Sequence, residues 1–295
     1  MGNVPVLYDW TDIGELNYDN KDMRAQMIQS MLYWVKEVDI DGFRCDVASE
    51  VPTDFWVTAK DSLRSYKSDI FMLAEAEKPD LNDYAFDAYY AWDFHHKMNM
   101  VAKGIENVDS LRSSLNRMKT NFSPSAIPMY FTSNHDENSW NGTEFERMGD
   151  AAKSFAALTY VLPGMPLIYS GQEVGLDRRL QFFEKDSIVW KDKGGFTPFY
   201  KSLNDLKKDN PALYTQEIGG EMIEIENDKP NLVWSFKRVK EENTVVCVFN
   251  LTKEPQKVIF KEEIPGTDFN SLKKETVVAV QEMELKPWEY KVFYK

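Results

Sequence analysis

Residues 39–50 read DIDGFRCDVASE, a short apolar run that ends in Arg44, Cys45 and Asp46. Side chains two residues apart in a strand project from the same face, so Arg44 and Asp46 point together and Cys45 points the other way. An arginine beside an aspartate favours the charged form of the carboxyl group. The stretch therefore predicts either a buried ion pair that closes a strand or a charged site at the strand end.

Strand-like and helix-like segments alternate on both sides of this stretch. Repetition of strand and then helix predicts parallel strands joined by helical crossovers. Apolar strand-like runs cover residues 39–46, 69–77, 84–92, 126–136 and 164–173, and helical patterns cover residues 20–38, 104–120, 144–162 and 197–208, with a further helix opening at Pro52-Thr53-Asp54.

The pattern changes near residue 212. Beyond it, short alternating runs such as EMIEIEN (221–227) and TVVCVFN (244–250) are separated by Gly, Pro, Asn and Lys. Such runs are typical of antiparallel strands in a sandwich. We therefore predict an α/β domain over residues 1–212 and an all-β antiparallel, sandwich-type domain over residues 213–295.

Composition restricts the partners. The formal net charge is −13, from 48 acidic and 35 basic residues, so the surface repels nucleic acid and anionic lipid. No apolar run approaches the roughly 18 residues of a membrane helix. The stretch MGNVPVLYDW lacks the features of a signal peptide. We expect neither a nucleic-acid partner nor a membrane segment, and the sequence indicates neither compartment nor oligomeric state.

No metal site is predicted. The two cysteines, Cys45 and Cys247, are far apart and have no zinc-type spacing, so we expect free thiols. WDFHH (92–96) places His95 beside His96, but adjacent side chains diverge in a strand, so the pair is a poor chelate.

A second acid follows the next strand. The run FMLAE ends in Glu75, 29 residues after Asp46 (75 − 46), which is about one strand–helix repeat. Two such acids, one ionised and one protonated and about 5–5.5 Å apart, are what retaining glycoside hydrolysis needs. Asp46 would be the nucleophile and Glu75 the acid/base. Glu77 shares the face of Glu75, but Glu75 is favoured because it directly follows the apolar run.

A third acid, Asp136, ends the run FTSNHD, with His135 beside it. A carboxylate there could hold two sugar hydroxyls and favour a distorted sugar ring. For His135 alone, a histidine that is merely hydrogen-bonded at a loop edge remains the alternative. Acids at the start of a loop are also common as helix caps.

Three segments, GFRCDVA, MLAEAE and FTSNHD, resemble the ordered signature segments of the α-amylase superfamily, glycoside hydrolase family 13. GMPLIYSGQE and DWTDIGELNYDN are similar to two further segments. The resemblance implies a (β/α)8 TIM barrel and a retaining enzyme that acts on α-glucosidic bonds. It implies the nucleophile role for Asp46, the acid/base role for Glu75, transition-state stabilisation by Asp136, and sugar-subsite roles for Arg44 and His135.

The sequence also departs from the family pattern. The family's first signature segment, which ends in Asn-His, has no counterpart in the 45 residues before Asp46. We therefore expect a partial (β/α)8 barrel, with roughly three strand–helix units fewer than eight. The family's calcium draws a ligand from that segment, so we predict no cofactor. Ala74 replaces a common glycine, and Ser49-Glu50 replaces a common Lys-His pair.

Aromatic residues near strand ends or in loops could stack on sugar rings, although packing is the alternative for each of them. The predicted sugar-binding aromatics are Trp10, Tyr89 and Trp92, and others of this kind are Tyr90, Trp140, Phe182 and Phe183.

The predicted function is hydrolysis of starch-like α-glucans or maltooligosaccharides. The alternatives are an inactive or glucan-binding fragment of such an enzyme, and an α-glucan transglycosylase that uses the same covalent intermediate. The sequence does not distinguish α-1,4 from α-1,6 bonds.

Overall fold

The computed structural model describes residues 14–295, which belong to two compact units divided between Tyr89 and Tyr90. The first unit contains a layer of parallel strands and their helices. Its helices are α1 (Lys21–Glu37), α2 (Thr53–Tyr66) and α3 (Pro79–Tyr84), and its strands are β1 (Gly42–Cys45), β2 (Phe71–Ala74) and β3 (Ala88–Tyr90), which runs across the division.

Strands β1, β2 and β3 pair in parallel, as the alternation of strand and helix predicts. Cys45 lies opposite Ala74 in the β1–β2 register, and Leu73 lies opposite Ala88 in the β2–β3 register. Helix α2 connects β1 to β2 and contributes its buried side chains to the core cluster of this unit. The indole of Trp56, in α2, donates a hydrogen bond to the Ala48 carbonyl at 3.0 Å, which ties the helix to the loop after β1.

The second unit begins with more helices and two short parallel strands. Its helices are α4 (Trp92–Ala102), α5 (Val108–Asn121), α6 (Glu144–Met148), α7 (Ala152–Val161) and α8 (Phe196–Asp209), and its parallel strands are β4 (Ile127–Tyr130) and β5 (Met165–Pro166). The Ala91 N–H donates to the Met129 carbonyl at 3.1 Å, and Met129 lies opposite Met165. Within this unit, β4 and β5 therefore pair in parallel as neighbours.

Several predicted elements differ from the observed ones. The predicted strands over residues 126–136 and 164–173 are reduced to β4 and β5, so Asp136 lies in the segment after β4 and not at its end. The predicted strand over residues 84–92 shrinks to β3, and residues 92–96 lie in helix α4 instead. The predicted helix over residues 144–162 is interrupted at Gly149, whose φ of 54° is left-handed and incompatible with a continuous right-handed helix. A 3-10 turn at Gly149–Ala151 joins the two resulting pieces, α6 and α7.

The remaining strands are antiparallel, which confirms the predicted all-β region. One sheet has the order β10-β12-β8-β7-β6, and a two-stranded sheet pairs β11 with β9. Residues of both sheets pack into one core cluster, which includes Val248, Phe260 and Met283. The strands are β6 (Glu221–Glu224), β7 (Val233–Lys240), β8 (Asn243–Asn250), β9 (Gln256–Ile264), β10 (Asn270–Ser271), β11 (Val280–Leu285) and β12 (Tyr290–Tyr294).

The change from helices to antiparallel strands lies between the end of α8 at Asp209 and the start of β6 at Glu221. The domain boundary at residue 212 stays a prediction. Arg238, in β7, is fully buried and donates hydrogen bonds to the carbonyls of Val161 at 3.0 Å, Tyr214 at 3.1 Å and Gly220 at 3.0 Å. This side chain therefore ties the antiparallel sheet to the end of α7.

The two cysteines, Cys45 and Cys247, are free thiols in buried positions. Burial raises the pKa of the Cys45 thiol to about 12. Within residues 14–295, none of the helices has both the length and the apolar character needed to cross a membrane.

We predict that Gly42→Ala weakens the pairing of β1 with β2. A Cβ atom at this position would overlap the backbone carbonyl of Phe71, which cannot move without disturbing the ladder. The free energy of unfolding should fall by about 2–3 kcal/mol, as for an overpacked site, and urea titration measures this change. Gly104→Ala is the control, because its Cβ would meet no atom within 4 Å and only the φ of 70° is unfavourable. An equal loss in both variants would contradict the prediction.

Candidate active site

Two acids lie at the carboxyl ends of adjacent parallel strands. Asp46 directly follows β1, and Glu75 directly follows β2. The strand register continues past the strand ends, because the Glu75 N–H donates a hydrogen bond to the Cys45 carbonyl at 2.9 Å. The two carboxyl groups therefore emerge at the same height, as the spacing of one strand–helix repeat predicts.

Arg44 lies between the two acids and contacts both. Its Nη1 is 2.5 Å from Asp46 Oδ1, and its Nη2 is 2.8 Å from Glu75 Oε1. The side chain of Asp46 is 66% exposed, whereas that of Glu75 is only 11% exposed. Arg44 thus fixes the position of the accessible Asp46 carboxylate relative to the nearly buried Glu75 carboxyl group.

Val47 supplies a further contact to Glu75. Its backbone has φ 42° and ψ 45°, a left-handed conformation that is rare for a β-branched residue. In this conformation its N–H donates a hydrogen bond to Glu75 Oε2 at 2.9 Å. Backbone strain of this kind persists where the surroundings hold it, and it is concentrated at functional sites.

The surroundings raise the pKa of Glu75 to about 7. Burial is the largest cause, and the charge of Asp46 and a hydrogen bond with it act in the same direction. The Val47 N–H and the Arg44 guanidinium oppose these effects because they stabilise the ionised form. A carboxyl group with this pKa is present in both forms at neutral pH, which suits a group that must first donate and then accept a proton.

His135 and Asp136 belong to the second unit, in the segment after β4. Their side chains are both partly exposed, and His135 Nε2 lies 3.4 Å from Asp136 Oδ2. A π-helical turn, Glu137–Asn141, follows directly. Turns of this type occur frequently at functional sites. The structure thus places the two predicted residues side by side, and a common pocket for all three acids stays a prediction.

Asn134 and Glu137, on either side of this pair, are buried. The Asn134 side-chain oxygen accepts a hydrogen bond from the Glu137 N–H at 2.7 Å, which caps the turn. Sequence reasoning gave Asn134 no chemical role and overlooked Glu137. The signal that could have identified the cap is an asparagine three residues before an acid at the start of a turn.

The predicted sugar-binding aromatics lie in different environments. Tyr89 is buried, with 1% of its surface exposed, so its ring is not presented to solvent. Trp92 is partly buried, and its ring packs edge-on against Phe131 with centroids 4.9 Å apart. Trp10 lies outside the described residues. Sugar binding by these three residues stays a prediction.

Three other aromatic residues, Trp140, Phe182 and Phe183, form an exposed aromatic cluster. The ring centroids of Trp140 and Phe182 are 5.0 Å apart, as are those of Phe182 and Phe183. The cluster adjoins the predicted site, because the Phe182 ring stacks on His135 with centroids 6.2 Å apart and planes 20° apart.

The loop that carries Phe182 is closely held. Arg178 forms a two-point ion pair with Asp186, with contacts of 2.8 and 2.7 Å. The Leu180 N–H donates to the Asn138 side-chain oxygen at 2.7 Å, and the Ser139 hydroxyl donates to the Leu180 carbonyl at 2.9 Å. The π-helical turn that follows Asp136 therefore also anchors the aromatic loop.

The prediction that His95 and His96 lie in a strand was wrong, because both residues belong to helix α4. His95 is fully buried and its Nδ1 lies 2.9 Å from the Phe131 carbonyl oxygen, whereas His96 is exposed. Over residues 14–295, no group of three or more His, Cys, Asp or Glu side chains is placed to hold a metal ion.

The chain is similar in sequence to several amylases. An α-amylase MalA from Haloarcula japonica is 28% identical over 269 residues, which cover 90% of this chain and 39% of that protein. An intracellular maltogenic amylase from Bacillus subtilis is 27% identical over 260 residues, which cover 85% of this chain and 44% of that protein. The chain thus spans less than half the length of these relatives.

Solved structures show the same fold. A maltogenic α-amylase, AmyB, from Thermotoga neapolitana matches 98% of this chain and 69% of its own, with a TM-score of 0.85 at 25% identity. An α-amylase from Lactobacillus plantarum matches with a TM-score of 0.82 at 21% identity, over 98% of this chain and 70% of its own. These likenesses confirm a barrel-type α/β fold followed by an antiparallel β region.

Residues 7–215 match the family profile described as "Alpha amylase, catalytic domain". The three predicted acids, Asp46, Glu75 and Asp136, all lie within this range. Since the match extends over well more than half of the chain, this protein belongs to the α-amylase family.

Proposed function

We propose that the chain carries the catalytic residues of a retaining glycoside hydrolase that cleaves α-glucosidic bonds in starch-like α-glucans or maltooligosaccharides. The observation that carries the proposal is the arrangement in which Arg44 contacts both Asp46 and Glu75. It combines an accessible carboxylate with a buried carboxyl group whose pKa is about 7. The names of the relatives, which are amylases, support the substrate class.

In the first step, an oxygen of Asp46 attacks the anomeric carbon and forms an ester bond to it. The bond between that carbon and the glycosidic oxygen breaks, and the oxygen takes the proton of Glu75 as it leaves. Burial of Glu75 keeps this proton available at neutral pH. Arg44, which contacts both acids, stabilises the negative charge on Asp46 before the transfer and on Glu75 after it.

In the second step, water attacks the anomeric carbon and passes a proton to the Glu75 carboxylate. The ester bond breaks, and Asp46 leaves as a carboxylate. Asp136 would hold sugar hydroxyls and favour the distorted ring of the transition state, with His135 beside it. The anomeric carbon of the substrate would lie against Asp46 and the glycosidic oxygen against Glu75.

The first prediction concerns the two acids. Asp46→Asn and Glu75→Gln should each lower the rate of maltoheptaose cleavage at least about 10³-fold, because each removes a group that takes part in bond breaking. Release of reducing sugar measures the rate. Proton NMR of the first product should show an α anomer, since two displacements retain configuration.

Glu77→Gln is the matched control, because Glu77 is the competing acid two residues after Glu75, beyond the end of β2, and should tolerate the change. Activity that survives Glu75→Gln but is lost in Glu77→Gln would assign the acid/base role to Glu77. Maltoheptaose binding without turnover in the unmodified chain would support the glucan-binding alternative. Products longer than the substrate would support transglycosylation.

The second prediction is that kcat/KM decreases as the pH rises through about 7, because Glu75 then loses the proton that the leaving oxygen needs. Assays of maltoheptaose cleavage from about pH 5 to about pH 9 locate this alkaline limb. Arg44→Gln should move the limb to higher pH, since the guanidinium lowers the pKa of Glu75. A rate that is flat through neutral pH would contradict the assignment.

The pH dependence of the free energy of unfolding tests the raised pKa of Glu75 without an activity assay. The pKa of Glu75 is about 7 in the folded chain and 4.5 in the unfolded reference, so the folded state binds the extra proton between these values. The free energy of unfolding of the unmodified chain, relative to Glu75→Gln, should therefore decrease as pH rises from about 4.5 to about 7. A difference that does not vary with pH would show that the Glu75 pKa is not raised.

The third prediction concerns the aromatic cluster. Replacing both Phe182 and Phe183 by Ala should raise KM for maltoheptaose about tenfold, because exposed rings beside His135 offer flat apolar faces to a sugar chain. Trp34→Ala is the control, since Trp34 is an exposed aromatic residue on α1 near the amino end of β1, whereas Asp46 follows the carboxyl end of that strand. An equal KM in the double variant and the unmodified chain would remove the cluster from the binding site.

A further inference from the structure

A buried polar network holds the segment that carries His135 and Asp136. Within this segment, Asn134 and Glu137 are only 1% and 6% exposed, whereas the side chain of Asp136 is 34% exposed. Successive side chains of a helical turn are separated by roughly 100°, so a turn whose Glu137 points inward directs Asp136 elsewhere. The backbone of Asp136 already has helical angles, φ −73° and ψ −51°.

The carboxylate of Glu137 is held from three elements. Its Oε2 lies 3.1 Å from His95 Nε2, on α4, and 3.8 Å from Arg147 Nε, on α6. Its Oε1 accepts a hydrogen bond from the Asn141 amide at 2.9 Å, within the π-helical turn. The side chain of Glu137 is therefore restrained in both position and rotation.

His95 and Arg147 also hold the other end of the same segment. A carbonyl oxygen only accepts, so His95 Nδ1 carries a hydrogen and donates it to the Phe131 carbonyl at 2.9 Å. Arg147 Nη2 donates to the Thr132 carbonyl at 2.7 Å. The two side chains that contact Glu137 thus also restrain the backbone where the segment leaves β4.

Asn99 links the side chains of Arg147 and His95. Its side-chain oxygen accepts a hydrogen bond from Arg147 Nη1 at 2.9 Å, and its amide nitrogen lies 3.0 Å from His95 Nε2. Asn99 and His95 are one turn apart on α4, and both are buried. Glu137, His95, Arg147 and Asn99 thus each contact at least one other member of this group, which restrains their side chains together.

Charge favours the ionised form of Glu137. Burial raises the pKa of this carboxyl group, but the close contact with His95, the hydrogen bond from Asn141 and the charge of Arg147 outweigh burial and lower it. Burial lowers the pKa of His95, and Glu137 opposes that change. Two further acids interact with the charge of Arg147: Glu146, and the buried Glu144, which accepts hydrogen bonds from Thr132 and Gln172.

We propose that Glu137 is a positioning residue: its buried carboxylate, held by His95, Asn141 and Arg147, sets the direction in which Asp136 presents its own carboxylate. The inference rests on the proposed function, in which Asp136 stabilises the transition state. Glu137 does not touch substrate in this proposal, and its effect reaches the reaction only through Asp136.

Glu137→Gln tests the proposal, because it keeps the size of the side chain and removes the charge that holds the turn. We expect kcat for maltoheptaose to fall about tenfold while KM changes less than about twofold. Glu144→Gln is the matched control, since it neutralises another buried acid near Arg147 that lies outside the segment. Its kcat should stay within about twofold of the unmodified chain. Unfolding curves give the folded fraction of each variant, so that both rates refer to folded protein.

A double-variant comparison separates positioning from general damage. In the Asp136→Asn background, Glu137→Gln should cause no further loss of kcat, because the group that Glu137 directs is already disabled. A merely structural role predicts the same loss in both backgrounds, and that result would overturn the proposal.

An NMR measurement makes the test independent of activity. The chain has three histidines, so their imidazole signals can be assigned with single variants. Glu137→Gln should shift the signals of His135, which lies beside Asp136, whereas Glu144→Gln should leave them in place. Unchanged His135 signals in Glu137→Gln would overturn the positioning role. Shifted His135 signals in a chain that cleaves no glucan would support the positioning and reject the proposed function.

Discussion

The contact of one guanidinium group with two carboxyl groups is the interaction on which the first unit's site depends. Arg44 can reach both Asp46 and Glu75 only because β1 and β2 are parallel and in register, with Cys45 opposite Ala74. A shift of one residue would turn every side chain of the strand to the opposite face. The close approach of Gly42 to Phe71 keeps the strands in this register, and the strained backbone of Val47 completes the environment of Glu75.

In the second unit, the predicted site residues His135 and Asp136 are oriented differently. His135 and Asp136 lie in a segment that has left the strand ladder, so backbone pairing no longer sets their direction. The buried carboxylate of Glu137 takes over that role, since His95 and Arg147 contact it and also hold the carbonyls of Phe131 and Thr132. In one unit the sheet orients the acids, and in the other a polar network does so.

Sequence reasoning predicted the elements that local pattern determines. The helices at Lys21–Glu37 and Phe196–Asp209 and the strand-end positions of Asp46 and Glu75 follow from apolar periodicity and repeat spacing. It failed where a short apolar run suits a strand or a helix equally well, which is why residues 92–96 were misread. The partners of Glu137 were out of reach because His95 lies 42 residues earlier (137 − 95) and no periodic pattern links the two positions.

The three carbonyl contacts of Arg238 bear on how the chain can be divided. This cation, whose pKa burial lowers to about 10, is neutralised by no acid among its hydrogen-bond partners and is solvated instead by backbone oxygens of Val161, Tyr214 and Gly220. Excising the antiparallel sheet would remove the donor of the Val161 oxygen and expose the buried end of α7 to water. The antiparallel sheet thus supplies a hydrogen-bond donor to the end of α7, and a shortened version of the chain that ends before β6 would lose that donor.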